Sequence, residues 1–210
     1  MADEQKPEGG VSPSQQPSEP ATPPPKAAPP KPAPAAPKAP AVMAVTPWES
    51  ELARQLKEHF GDRITGCFSY VGQNFLVVAP DAAIPILEYL KLETDFDYLV
   101  DIVVVDYPKR AERFDLIYVV YSFARNERIR IKIMIPDGFQ PRTAYDVHLT
   151  ANWIEREVFD MFGIRFAGHP DLRRILMPDE WEGHPLRKDY SIIRQDERWV
   201  KESLGIESAQ

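Results

Sequence analysis

The sequence predicts an α+β fold: a mostly antiparallel sheet with packed helices, followed by an extended, irregular C-terminal segment. Three observations carry that expectation. Helix-period and strand-period segments alternate as helix, two strands, helix, three strands, helix. Residues 128–135 alternate strictly, with Ile129, Ile131, Ile133 and Ile135 on one face and Arg128, Arg130 and Lys132 on the other, as in a half-buried strand. From Arg165 onward both periods fade, and Pro170, Pro178 and Pro185 push the residues before them towards extended backbone.

In chain order, residues 1–46 form a separate segment. Of the 22 prolines, 14 lie at or before Pro47, and Ala, Lys and Ser between them offer little to bury. That composition predicts a disordered Pro/Ala-rich tail of polyproline II character. Order is expected from Thr46-Pro47-Trp48, with Thr46 as cap and Pro47 at the first helical position. Trp48, Leu52, Leu56 and Phe60 recur at i+4 and Gly61 ends that helix. Strands Thr65–Tyr70 and Asn74–Ala79 flank a Val71-Gly72-Gln73 turn. Asp81 opens a second helix carrying Ile84, Leu87, Leu90 and Leu92, with Pro85 near its first turn. Tyr98–Asp106, Phe114–Phe123 and Arg128–Ile135 are the remaining strands, and Arg125-Asn126-Glu127 makes the last turn. The domain is drawn at 47–164 and a partner-binding segment at 165–210.

The last helix, TANWIEREVFDMFGI, takes Thr150 or Asn152 as cap and Gly163 as terminator. At about 100° per residue, its apolar side chains occupy most of the circumference. Arg156 and Asp160 form the one polar wedge, as an i,i+4 pair. Glu157 falls between Trp153 and Met161, and Glu155 between Phe162 and Phe159. A carboxylate embedded in apolar cover needs a cation or hydrogen-bond donors. Arg165, Arg173, Arg174, Arg187 and Lys188 follow closely enough to supply them. Glu155 and Glu157 are therefore read as acceptors pinning the tail arginines in preference to a proton relay, with Glu157 the more telling of the two.

Composition excludes several classes. A formal charge of −7 argues against nucleic acid as a partner. One cysteine, Cys67, allows neither an internal disulfide nor a four-thiolate cluster held by this chain alone. No apolar run reaches the roughly 18 residues of a membrane span. Neither a secretory signal nor an Arg-rich transit peptide is expected in residues 1–47, which hold no Arg and include Asp3, Glu4, Glu8 and Glu19. Nucleotide-binding glycine loops and nucleophile elbows are missing from the sequence. The Gly-His-Pro turns at 168–170 and 183–185 lack metal-ligand spacing, so His169 and His184 are expected to bond backbone or a carboxylate. His59 and His148 are placed in amphipathic helices, and Asp171 and Asp189 are expected to pair with arginines.

The run NWIEREVFDMFGIRFAGHPDLRRILMPDEWEGHPLRKDY, residues 152–190, closely resembles the hallmark region of the 30-kDa-type subunit of respiratory complex I, the C-type subunit of bacterial NADH-quinone oxidoreductase. The likeness is strong over about residues 150–190, and the element order agrees from about 47 to 150. It implies a cofactor-less peripheral-arm subunit with no catalytic, cofactor or metal residue of its own. The complex itself uses NADH, FMN, Fe-S clusters and quinone, and pumps protons. The implied partners are the large hydrogenase-like (D-type) subunit and the nearby cluster-bearing B-type and I-type subunits, on the cytoplasmic side of a bacterial inner membrane. The signature residues expected at the partner interface are Glu155, Arg156, Glu157, Asp160, Gly163, His169, Pro170, Asp171, Arg173, Arg174, His184, Pro185, Arg187, Lys188, Asp189 and Tyr190. The rival readings are the homologous subunit of a membrane-bound hydrogenase or ferredoxin-dependent reductase, a metal enzyme using His169 and His184, and an adaptor working through the proline-rich tail.

Overall fold

A computed structural model describes residues 44–191 and 200–205. The expected proline-rich tail lies, but for its last three residues, outside them. Six strands form one sheet: β1 (Thr46–Pro47), β2 (Ile64–Tyr70), β3 (Gln73–Val78), β4 (Tyr98–Asp106), β5 (Phe114–Ser122) and β6 (Glu127–Ile135). Their order is β1-β2-β3-β6-β5-β4, with every neighbouring pair antiparallel except β3 and β6. Three helices accompany it: α1 (Glu51–Phe60), α2 (Ala83–Glu93) and α3 (Ala151–Phe162). The α+β expectation holds.

The start differs from expectation. Thr46 and Pro47 pair with Ser69 and Phe68 as an edge strand, where a proline's missing N–H removes no ladder bond. Ser50, not Thr46, caps α1; its hydroxyl accepts from the Ala53 N–H at 3.1 Å. Leu52 and Leu56 enter the core, each such burial contributing about 1.5–3 kcal/mol. Gly61 ends the helix at φ 55°, as the sequence suggests.

The hairpin needs only two residues, since Gln73 already belongs to β3. Val71 and Gly72 both have positive φ, the geometry whose twist suits two-residue hairpins. Asp81 does not open α2: residues 80–82 form a 3₁₀ turn and the helix begins at Ala83. Pro85 thus sits in the first turn, where its missing donor would have no partner anyway. Ile84, Leu87 and Leu90 are buried, but Leu92 is 68% exposed because it falls off their stripe.

Strands β4 to β6 match the sequence reading within a residue. Ile129, Ile131, Ile133 and Ile135 are all buried, against Leu116, Tyr118 and Val120 of β5 and the apolar faces of the helices. The core lies on this one side of the sheet. Among the described residues, no helix is long and apolar enough to cross a membrane.

Candidate functional site

The segment from Arg165 to Tyr190 wraps α3 rather than trailing from it. The helix buries Ala151, Glu155 and Val158 towards the sheet and covers Arg156, Asp160 and Met161 beneath the segment that follows. Trp153 and Glu157 are left outside, Trp153 at 63% exposure. This corrects the helical-wheel reading. A helix apolar on most sides does not disclose which arc faces solvent, and here the polar wedge is covered while Glu157 is free.

Asp160 is the centre of the site, with no accessible surface. One carboxylate oxygen accepts three consecutive backbone N–H groups, from Ile175 (3.0 Å), Leu176 (2.8 Å) and Met177 (2.9 Å). The other accepts Arg174 Nη1 at 2.6 Å. Burial alone would push this carboxyl up, but the Met177, Leu176 and Ile175 amides and the Arg174 guanidinium outweigh it and hold it below its usual value. Arg174 spends its other donors on the carbonyls of Trp181 (2.8 Å) and Gly183 (2.9 Å), closing the loop on itself. Arg156 does not pair with Asp160 as expected; it donates to the carbonyls of Arg173 and Arg174 and stacks on Trp153.

A second knot fastens the end of the segment to the sheet. Arg113 bridges Asp106 (2.7 and 2.8 Å) and Asp189 (2.9 and 2.8 Å) through paired bonds. The Lys188 amide adds a 2.7 Å bond to Asp106. Arg187 pairs with Asp137, reaches the Phe162 carbonyl and lies over the Phe114 ring. The Arg113 bonds draw Asp106 and Asp189 down, and Arg187 does the same for Asp137. Asp106, Arg113 and Asp137 went unnoticed in the sequence. Their only signal is position, at a strand end, a strand start and a Pro-Asp-Gly turn.

The two Gly-His-Pro turns have different duties. His169 receives the Asp171 N–H on Nδ1 and donates from Nε2 to the Asn152 carbonyl, both at 3.1 Å. Those two bonds suit the tautomer with its hydrogen on Nε2. His184 donates from Nδ1 to the Asp160 carbonyl at 2.9 Å, and the Leu186 N–H bonds the Met161 carbonyl. Gly163 is required here. Its φ of 79° ends the helix, and an added Cβ would stand 2.6 Å from the His184 ring. Gly183 likewise makes room for Tyr190. Pro170 and Pro185 hold the turns without polar contacts. His148, expected in a helix, lies in the turn before α3 and is buried.

Glu155 holds no arginine. Thr143 and the Ala144 N–H (2.6 Å) bond its two oxygens, and His169 Nε2 is 4.0 Å away. Burial raises this carboxyl to about 7 against those two bonds. The clasp thus rests on Asp160, Asp137 and Asp106 instead of Glu155 and Glu157. Among the described residues the Arg173 side chain pairs with Asp171 alone, at the surface. Among the described residues, no group of three or more His, Cys, Asp or Glu side chains is arranged to hold a metal ion.

While the buried carboxylates are paired or hydrogen-bonded, large apolar side chains remain outside: Leu149 (73% exposed), Trp153 (63%), Leu176 (60%) and Leu186 (54%).

Residues 76–196 match the family described as the respiratory-chain NADH dehydrogenase 30 kDa subunit. The C-type subunit of NADH-quinone oxidoreductase from Cereibacter sphaeroides is 42% identical over 154 residues, covering 70% of this chain and 77% of that protein. Its namesake from Geobacter sulfurreducens is 40% identical over 153 residues, 72% of this chain and 94% of its own length. A chain in the structure of the membrane-bound sulfane sulfur reductase, an archaeal respiratory membrane complex, superposes with a TM-score of 0.62. That chain is 25% identical, and the match covers 74% of this chain and 91% of that one.

Proposed function

This chain belongs to the 30-kDa subunit family of the respiratory-chain NADH dehydrogenase, and from that premise we propose that its work in the complex is to brace. It is a subunit of an NADH-quinone oxidoreductase; the electron carriers, FMN and Fe-S clusters, would sit in other subunits. The proposed neighbours are the large hydrogenase-like subunit, with the cluster-bearing B-type and I-type subunits beside it. The proposed location is the cytoplasmic face of the inner membrane, reached through the complex alone.

One observation carries this reading. The buried carboxylates and arginines of the clasp are paired internally, while its Leu176 and Leu186 face outward, as do Leu149 and Trp153 at the start of α3. Apolar side chains held outward by a rigid segment suit a covering protein surface. Asp160 is saturated by four donors and the His169 ring is held by backbone on both nitrogens, an arrangement that supports a bracing role. The higher identity to the NADH-quinone oxidoreductase relatives, at 40–42% against 25% for the sulfane sulfur reductase chain, favours the quinone-reducing machine over its cousins.

Gentle purification of the tagged full-length chain, with mass spectrometry of whatever accompanies it, tests the proposal. The hydrophilic-arm subunits should co-purify in fixed ratio. A chain that emerges alone would contradict it.

A further inference from the structure

The helices pack on one side of the sheet, and the opposite side carries a surface the clasp does not use. Along β6 this side presents Arg128, Arg130, Lys132 and Met134; along β4 and β5 it presents Val103, Ile117 and Val119. Two hollows meet on it. One of about 380 Å³ is lined by Val103, Ile117 and both arginines, and one of about 470 Å³ lies towards Phe75 and Tyr70. Ile117 and Arg130 border both, so the two form one shallow trough with an aliphatic floor.

Charge on this trough opposes that of the chain. The whole sequence carries −7. Among the described residues, the ion pairs of this face end at Asp115, which takes Lys132 (3.4 Å) and Arg110. Arg130 is bonded to the neutral Gln73 amide, and Arg128 has no carboxylate within pairing distance. Asp101 lines the same hollow, but it takes the Ile102 N–H at 2.8 Å and lies beyond pairing distance of either arginine, so two guanidinium groups stand over a mainly aliphatic floor without an ion pair. Positions two apart on a strand are separated by about 7 Å. That spacing matches carboxylates at i and i+4 on a helix, about 6 Å apart.

We infer that this trough is a second docking surface, and that its occupant is an acidic amphipathic segment of a neighbouring polypeptide in the complex. Its apolar side chains would fill the trough over Ile117, and its carboxylates would pair with Arg128 and Arg130. An apolar floor sunk between two cations receives a row of side chains, not the plane of a bilayer. The inference rests on the subunit reading above but not on the clasp.

A photoreactive benzoylphenylalanine in place of Val103, and separately of Met134, tests it in the assembled complex. Both positions are exposed on this face, at 39% and 36%. Irradiation should join each to another subunit, within a peptide rich in Asp or Glu. Replacing both arginines by glutamate (R128E and R130E) should cut the yield at least tenfold, while the R128K, R130K pair should retain most of it. Crosslinks only to lipid, to a second copy of this chain or to this chain's own residues would overturn the inference. So would no crosslink from either position in an assembled complex, or yields indifferent to the charge reversal. Failure of the unsubstituted chain to enter any complex would remove the subunit reading, and this inference with it.

Discussion

At the scale of single residues, Asp160 and Glu155 are two buried carboxyls on one helix with opposite fates. Four donors, one of them a guanidinium, keep Asp160 ionised; two neutral donors leave Glu155 raised to about 7. Removing the Asp160 carboxylate strands Arg174 and three amides together. Asp160→Ala should cost about 3–5 kcal/mol in urea-induced unfolding, the scale for one partner lost from a buried pair. A loss below about 1 kcal/mol would show that the knot contributes little. Glu155 gives a pH signature instead. Its folded value lies above the unfolded one, so its stabilisation is complete below about 4.5 and is lost as pH rises through about 7. His148 works the other way: burial, aided by Lys91, lowers it to about 4, so its stabilisation is present above about 6.5 and is lost as pH falls. Glu155→Gln keeps the shape and removes the titration. Between pH 5 and 8 that variant should lose the decline contributed by Glu155, leaving a stability that rises with pH relative to wild type. An unchanged difference across that range would place the group elsewhere.

The same residues show how far sequence reasoning reaches. Burial of a carboxylate among apolar neighbours was legible, and so was the need for compensating donors. Glu155 is buried as read, but that Asp160, not Glu155 or Glu157, takes an arginine was not legible. The decisive donors to Asp160 are three backbone amides, and any residue type could supply them. Exposure of Trp153 and Glu157 was equally hidden, because it depends on where the chain returns after Gly163.

At the scale of elements, pattern and turn chemistry did most of the specifying. The isoleucine alternation of β6 placed a central strand, and the Gly61 and Gly163 stops held to the residue. The edge strand at Thr46–Pro47 escaped notice because two residues carry no period. Two elements invite tests. Val71 occupies a left-handed position at φ 52°, where a β-branched side chain is strained. Val71→Asn, the preferred partner of a following glycine in such a turn, should stabilise the domain by about 0.5–1 kcal/mol, read as a raised urea midpoint. Gly163→Ala combines left-handed strain with a clash against His184. It should cost about 1–3 kcal/mol and raise hydrogen exchange across 174–187 more than in β5 and β6. Uniform loss of protection would mean that the clasp and the sheet unfold as one unit.

At the scale of the whole molecule, the sheet and its helices form a platform on which the 165–190 segment is spread and locked. The locking is internal: Asp160 and Asp106 are both buried and both take donors from the segment. Cutting the segment away would expose these carboxylates, so assembly and folding are separated only by changing outward side chains. Leu176 and Leu186 are suited to that, being 60% and 54% exposed and bonded to α3 through their backbone. The most direct measurement is native gel electrophoresis of membranes from cells whose only copy carries both Leu176→Glu and Leu186→Glu, beside a urea melt of the purified variant. Bracing by the clasp predicts a melt within about 0.5 kcal/mol of wild type together with loss of the assembled complex. Assembly at the wild-type level with both glutamates in place would contradict it.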